Sequence, residues 1–185
     1  HVSFATARED VRRRDFTVNS LLMDPETGKI VDYEGGREDI AGRLIRCIGD
    51  PEARFAEDSL RMLRAVRLAA QLNFHIDEHT WEVIARHAGE ISRVSAERIR
   101  EELTRILVGP APRRGMELLQ SAGLLRLILP EIEALRGVSQ PPRFHPEGDV
   151  WEHTLRMLAL LPGEMPAEAA AGRVAWAVIC HDAGK

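Results

Sequence analysis

The sequence is poor in cysteine and has no long hydrophobic run. Its two cysteines, Cys47 and Cys180, lie far apart and lack the spacing of a cysteine-ligated metal site. The longest apolar stretch, residues 174–180, is far too short to span a membrane, and no secretory signal is recognisable. These shortages argue against a disulfide-stapled fold and a membrane protein, and they favour a reducing cytoplasm.

Lysine is nearly absent, so arginine carries almost all of the basic charge. Only Lys29 and Lys185 occur among 185 residues, and the net charge is -4. An overall positive field that would attract nucleic acid is therefore missing, and any affinity for RNA must come from local patches. Arginine suits such patches because its planar group contacts both phosphates and base edges.

The hydrophobic pattern predicts an α/β beginning followed by a helical remainder. Asp15 is a good N-cap for a predicted helix over 16–22. Strands are predicted at residues 2–6, 29–33 and 44–48. Helices are predicted near residues 56–73, 78–88, 96–108, 113–121, 151–161 and 168–181. Pro110 and Pro141 are the best boundaries, and the fold class is α+β, mostly α.

A carboxylate and three arginines recur at every third position of the predicted helix over 56–73. Asp58, Arg61 and Arg64 can share one wall of a cleft, whereas Arg67 lies further round the helix. A carboxylate acceptor beside guanidinium donors could read a nucleobase edge, with the other arginines left for phosphates. The alternative is an Asp–Arg pair on a solvated helix face, which is worth little energetically.

Four motifs place the chain near one family. Residues 13–19, RRDFTVN, resemble the RRDFTxN motif of class II tRNA nucleotidyltransferases and bacterial poly(A) polymerases, and residues 57–61, EDSLR, resemble their EDxxR motif. Residues 32–39 resemble the short acidic, glycine-bearing motif between those two, which is associated with flexibility of the head, although a simple turn is the alternative. Residues 95–103 resemble the later ERI..EL motif, for which a structural role of Glu97 and Arg98 is expected. Four motifs in order make a strong match where one would be weak.

The resemblance implies roles for single residues. Asp58 and Arg61 would pair with the base edges of CTP or ATP and reject UTP and GTP by leaving polar groups unpaired. Asp15 would contact the ribose hydroxyls. The triphosphate would be held by Arg14, Arg64 and Arg67.

A second resemblance lies near the end of the chain. Residues 145–155, HPEGDVWEHTL, and 181–185, HDAGK, resemble the opening of an HD phosphohydrolase domain, as attached to some bacterial CCA-adding enzymes. It implies that His153, His181 and Asp182 bind a divalent transition metal and that His145 either supports a metal ligand or is structural. A further aspartate would be expected downstream, and the reaction would be hydrolysis of phosphate esters such as 2′,3′-cyclic phosphates. A surface His–Asp pair is the alternative.

Together the resemblances imply an order of domains. Residues 1–50 would be the C-terminal part of a polymerase β-like nucleotidyltransferase head, and residues 51–110 a helical neck that carries the base-reading helix. Residues 111–140 would be a helical body, and residues 141–185 the start of the HD domain.

The implied function is untemplated addition of CMP and AMP to the 3′ end of tRNA, from CTP and ATP. The reaction would need Mg²⁺, whose carboxylate ligands are expected upstream of His1, so residues 1–185 alone should not polymerise. A poly(A) polymerase and a CC-only or A-only adding enzyme stay open as alternatives. So does an inert RNA-binding or HD regulatory protein, which the net charge of -4 weakly favours. The oligomeric state stays open.

Overall fold

The computed structural model describes residues 6–141, 143, 148–164 and 168–184. The predicted strand at 2–6 falls almost entirely outside them, as do His145 and Lys185. Within the described part of the chain, no helix is both long and apolar enough to cross a membrane.

The described residues are mostly helical, which confirms the predicted α+β class. The helices are α1 (Ala7–Arg13), α2 (Gly36–Ala41), α3 (Pro51–Glu57), α4 (Leu60–Leu72), α5 (Glu78–His87), α6 (Ala96–Leu107), α7 (Pro112–Ser121), α8 (Leu125–Ile128), α9 (Pro130–Glu133), α10 (Val150–Glu164) and α11 (Glu168–Cys180). The strands are β1 (Leu22–Met23), β2 (Ile30–Val31), β3 (Leu44–Ile45) and β4 (His75–Ile76). Strands β1 and β2 pair antiparallel, and β3 and β4 pair parallel, with Leu44 opposite His75.

The predicted single helix over 56–73 is wrong, because two helices replace it. Helix α3 begins at Pro51, where the Asp50 side chain accepts a hydrogen bond from the N–H of Glu52, and it ends at Glu57. Asp58 then adopts an extended conformation with φ -153° and ψ 100°, and α4 starts at Leu60. The apolar period continues across this short break, so the sequence pattern did not reveal it.

The predicted helix over 16–22 is also wrong. A 3₁₀ turn covers Thr17–Asn19, and strand β1 follows it. The backbone around buried Phe16 pairs with the chain after β3: the N–H of Thr17 donates to Arg46 O, and that of Ile48 donates to Asp15 O, both at 3.0 Å. These long-range bonds extend the backbone where its local sequence favours a helix.

Helix α4 is the centre of the hydrophobic core. Met62, Leu63 and Val66 are fully buried in it, and α4 packs against α6 and α7. Full burial of such a side chain is worth about 1.5–3 kcal/mol. Helices α6 and α7 also lie close together, because a Cβ at Gly115 would sit 2.3 Å from Ile106 Cγ2. This packing anchors α4, which carries Arg61 and Arg64 of the predicted site, against the core.

The acidic, glycine-bearing motif forms the turn that starts α2. The Asp32 carboxylate accepts from the N–H groups of Glu34, Gly36 and Arg37 at 2.9–3.2 Å. Burial acts to raise the pKa of Asp32, but these backbone donors outweigh it and lower the pKa. Gly35 has φ +77°, and a Cβ at Gly36 would sit 2.2 Å from Thr17 O. Both glycines are therefore needed for the turn and for the approach of α2 to residues 17–19.

His87 connects α3 with the chain after α5. Its Nε2 lies 2.7 Å from Glu52 Oε2, and its Nδ1 lies 3.1 Å from Glu90 Oε1. The hydrogen bond to Glu90 raises the pKa of His87; burial acts against this, and the bond to Glu52 adds to it. The protonated imidazole therefore bridges two carboxylates.

We expect this bridge to make stability depend on pH. Because the pKa of His87 is raised in the folded state, its contribution is complete below the unfolded value of 6.5 and is lost as pH rises through the folded pKa. The substitution His87→Gln should therefore lower the melting temperature more at about pH 6 than at about pH 8.5. Thermal unfolding followed by circular dichroism at both pH values tests this, and an equal loss at the two would contradict it.

Candidate functional site

A polar cleft lies where α1 ends and α4 begins. Its volume is about 450 Å³, within the range of small-molecule sites. Seven side chains line it, and six of them are charged: Arg13, Arg14, Asp15, Asn19, Asp58, Arg61 and Arg64. The cleft therefore brings four guanidinium groups and two carboxylates together from two stretches of the chain, residues 13–19 and 58–64.

Asp15 is a fixed acceptor at the base of this cleft. Its Oδ2 lies 2.7 Å from Arg64 Nη2, and its side chain is only 7% exposed. Its Oδ1 accepts from the N–H of Phe16 at 2.9 Å and from Asn19 Nδ2 at 3.2 Å. The carboxylate is thus held by groups on both sides, so it presents a defined edge to the cleft and does not cap a helix.

Asp58 is held from the opposite side by α6. Arg98 Nη2 donates to Asp58 Oδ2 at 2.7 Å, and the N–H of Leu60 donates to Oδ1 at 3.2 Å. Burial acts to raise the pKa of Asp58, but the bond from Arg98, then that from Leu60, and the charges of Arg98 and Arg61 together lower it. The sequence predicts a structural role for Arg98, but no local pattern in it indicates the contact with Asp58.

Arg61 lines the cleft, and only one of its terminal nitrogens is hydrogen-bonded to the protein. Its Nη1 donates to Glu57 Oε2 at 2.7 Å and to Arg54 O at 2.8 Å. Among the described residues, no hydrogen bond is made by its Nη2. Asp58 and Arg61 therefore line one cleft without bonding each other, which leaves an acceptor and a donor for a ligand.

The remaining predicted residues divide into two groups. Arg14 lines the cleft, where its Nη1 donates to Asn19 O at 2.7 Å and its Nη2 lies 3.1 Å from Asp10 Oδ2. Arg67 lies outside it: Nε donates to Glu102 Oε2 at 2.7 Å, toward α6. Drift along the helix explains this separation. The cleft also includes Arg13 and Asn19, which the RRDFTVN segment contains but to which sequence reasoning gave no role.

The cleft does not fit a Mg²⁺ ion. Mg²⁺ prefers an octahedron of oxygen ligands, usually with carboxylates and water. Among the lining residues, Asp15 and Asp58 are the carboxylates, and each already bonds a guanidinium group. These positions suit a ligand with hydrogen-bonding edges and anionic groups rather than a cation.

A second cluster joins α10 to the turn after α11. One ligand atom each from His153, His181 and Asp182 lies within 4.8 Å of the others, and the two imidazole centroids are 5.5 Å apart. His181 Nδ1 lies 2.6 Å from Val178 O, and its Nε2 lies 3.3 Å from Asp182 Oδ2. Two imidazoles and one buried carboxylate fit a divalent transition metal. The structure thus brings together all three residues predicted for this cluster.

Two contacts fix this cluster against the rest of the molecule. Arg113 of α7 makes a bidentate pair with Glu152, the neighbour of His153, at 3.0 and 3.1 Å. In α11, Trp176 Nε1 donates to Thr104 Oγ1 of α6 at 2.9 Å. Helices α10 and α11 are therefore each attached to a different core helix.

Two family models match the chain. The "Poly A polymerase head domain" matches residues 1–46, and the "Probable RNA and SrmB- binding site of polymerase A" matches residues 73–135. The first match contains Arg13, Arg14, Asp15 and Asn19, which form one wall of the cleft.

Curated relatives and solved structures agree with these models. The "Multifunctional CCA protein" of Pasteurella multocida (strain Pm70) is 40% identical over 96% of this chain and 43% of its own length. The "CCA-adding enzyme" of Geobacillus sp. (strain WCH70) is 48% identical over 66% of this chain and 30% of its own. The crystal structure of the Bacillus stearothermophilus CCA-adding enzyme in complex with CTP superposes with a TM-score of 0.73 and 34% identity, over 96% of this chain and 40% of that one. The chain spans less than half the length of these relatives.

Proposed function

We propose, because the chain belongs to the class II tRNA nucleotidyltransferase and poly(A) polymerase family, that the protein adds CMP and AMP to the 3′ end of tRNA without a template. The observation that carries the proposal is the cleft, in which Asp58 and Arg61 present an acceptor and a donor beside further arginines. The relatives named above are CCA-adding enzymes, one of them solved with CTP. We place the reaction in the cytoplasm.

Base selection follows from the fixed positions of the acceptor and the donor. Cytosine and adenine each carry an exocyclic amino group next to a ring nitrogen, so each offers a donor beside an acceptor. We propose that Asp58 accepts from the amino group and that Arg61 Nη2 donates to the ring nitrogen. Uracil and guanine present a carbonyl oxygen and a ring N–H there, which would leave buried polar groups unpaired.

The other lining residues are proposed to hold the sugar and the phosphates. Asp15, already fixed by Arg64 and Asn19, would accept from ribose hydroxyls. Arg13, Arg14 and Arg64, which all line the cleft, suit phosphate oxygens, because charge-assisted bonds from guanidinium groups are strong and geometrically defined. The family depends on divalent metal ions, and we assign Mg²⁺ to the polymerase reaction, although none of the residues that line the cleft is proposed to hold it. Arg67 is left out, because Glu102 holds it outside the cleft.

The direct test is nucleotide addition by the full-length protein. It should be incubated with tRNAs that end before the first C, before the second C and before the A of the CCA end, with each nucleoside triphosphate alone. CMP addition to the first two and AMP addition to the third support the proposal. Long AMP tracts on any RNA would indicate a poly(A) polymerase instead, and no incorporation would favour an inert RNA-binding protein.

Arg14 and Arg64 should affect nucleotide affinity without affecting base choice. Neither of them is proposed to contact a base, and contacts to phosphate are the same for every nucleotide. Replacing either residue with alanine should weaken CTP and ATP binding equally, each by roughly tenfold, as expected for one charge-assisted bond. Equilibrium dialysis with both nucleotides tests this, and loss of one nucleotide alone would contradict it.

A second candidate activity is proposed for the cluster of His153, His181 and Asp182. Its support is the convergence of three ligand atoms within 4.8 Å, together with the likeness of the surrounding sequence to an HD domain. A bound transition metal would supply Lewis acidity for phosphate-ester hydrolysis. The substrate class would be phosphomonoesters and 2′,3′-cyclic phosphates at RNA ends. Metal-dependent release of phosphate from phosphomonoesters, and metal-dependent opening of 2′,3′-cyclic phosphates to 2′- or 3′-monoesters, by the full-length protein tests it.

A further inference from the structure

Arg54 lies in α3, outside the cleft, and bonds to the segments that carry both of its walls. Its side chain is only 12% exposed, and both of its terminal nitrogens bond to protein groups. We propose that Arg54 is a positioning residue, which sets the distance between the two walls of the cleft. The phosphate-binding wall is formed by residues 13–19, and the base-reading wall by residues 58–64. This inference rests on the proposed nucleotide-binding function.

The first contact of Arg54 is with the end of α1. Its Nη2 donates to the carbonyl oxygen of Arg13 at 2.6 Å and to that of Arg14 at 2.5 Å. Carbonyl groups at the end of a helix have no partner inside it, so a guanidinium group can satisfy two of them at once. Because the next residue is Asp15, this bond fixes the peptide that carries one whole wall of the cleft.

The second contact of Arg54 leads to the base-reading wall. Its Nη1 pairs with Glu57, and Glu57 Oε2 also accepts from Arg61 Nη1 at 2.7 Å. The Arg54 carbonyl accepts from Arg61 Nη1 at 2.8 Å and from the N–H of Asp58 at 3.4 Å. The side chain of Arg54 is thus the link that connects Arg61 and Glu57 to the peptide of Arg13 and Arg14.

The contacts of Arg54 with both the end of α1 and Glu57 require an arginine side chain. A planar guanidinium group can donate in two directions from nitrogens at a fixed separation, whereas the lysine ammonium is a single point on a flexible chain. Lysine at position 54 could reach either the two carbonyl oxygens or Glu57, but not both sides. We therefore expect Arg54→Lys to keep the charge and lose the connection.

The expected effect is on nucleotide affinity, for both nucleotides alike. In the full-length protein, Arg54→Lys and Arg54→Ala should raise the KM for CTP and for ATP together, by roughly ten- to a hundredfold, because small displacements of a binding wall are costly. The kcat should change less, and the preference for CTP and ATP over UTP and GTP should persist, because Arg61 keeps its bond to Glu57. A general loss of folded protein would instead lower kcat at constant KM.

Arg86→Ala is the matched control. Arg86 of α5 also pairs with α3, through Glu52, but it makes no bond to residues 13, 14, 57 or 61. Its removal should leave both KM values within about twofold of wild type. If Arg54→Ala does not fold, as judged by circular dichroism, Arg54→Lys decides the question.

Hydrogen exchange without nucleotide gives a reading that does not depend on activity. In Arg54→Lys, the backbone amides of residues 13–19 should exchange faster than in wild type and in Arg86→Ala, because the end of α1 is released. Unchanged exchange, or unchanged KM values in a folded variant, would overturn the inference. If the wild-type protein adds no nucleotide, the proposed function fails, while the exchange experiment still decides the role of Arg54.

Discussion

Replacing Asp58 or Arg61 with alanine is expected to remove much of the preference for CTP and ATP over UTP and GTP. Each substitution removes one side of the proposed base reader, and a lost base contact of this kind is worth about 1–3 kcal/mol of discrimination. The quantity to measure is the ratio of kcat/KM between accepted and rejected nucleotides, with the full-length protein. The Asp58 variant should be the more severe, because it also leaves Arg98 without its partner at 2.7 Å.

Arg100→Ala provides the control for these variants. Arg100 is exposed on the same α6 that carries Arg98, but it does not line the cleft. Its loss should leave the ratio between nucleotides unchanged. Wild-type selectivity in both the Asp58 and the Arg61 variants would show that the base is read elsewhere.

Replacing His181 with alanine or Asp182 with asparagine is expected to abolish metal binding at the second cluster. Loss of a residue that only orients a ligand costs about 10–100-fold in metal affinity, so loss of a ligand should exceed that. Calorimetric titration of the full-length protein with Mn²⁺ or Ni²⁺ measures the effect, and the hydrolysis of 2′,3′-cyclic AMP to 2′- or 3′-AMP should fall with it. Addition of CMP to tRNA should persist, because the cleft shares no residue with the cluster.

His79→Ala is the control for the metal experiment. His79 is exposed on α5 and lies outside the cluster, so its loss should not change the titration. Unchanged metal affinity in both the His181 and the Asp182 variants would leave the cluster as a His–Asp pair without a metal.

Sequence periodicity predicted the helical elements well wherever local preference and packing agree. The predicted helices near 78–88, 96–108 and 113–121 correspond to α5, α6 and α7 within one residue at each end. It failed at Asp58, because one residue with φ -153° interrupts a helix without changing the apolar pattern. It failed again after Asp15, because hydrogen bonds to Arg46 and Ile48 decide the backbone there. The predicted domain boundaries stay predictions.

The cleft residues could be found from motifs, but their partners could not. Arg98 and Asp58 lie 40 positions apart, and so do Arg54 and Arg14. No local pattern specifies which distant arginine meets which acceptor, since many arginines are available in this lysine-poor chain. For Arg67 the motif series predicted a contact with the nucleotide. Its guanidinium group forms an ion pair with the buried Glu102 instead.

Helix α6 gives the two proposed sites a shared dependence. Near its beginning Arg98 bonds Asp58, and near its end Thr104 accepts from Trp176, which lies on the helix leading to His181. A substitution that tilts α6 would therefore disturb nucleotide selection and metal binding together, although it touches neither ligand. Variants that displace this helix, unlike the exposed Arg100→Ala, should therefore be pleiotropic, with paired defects in two unrelated reactions, whereas variants of α3 should impair only one.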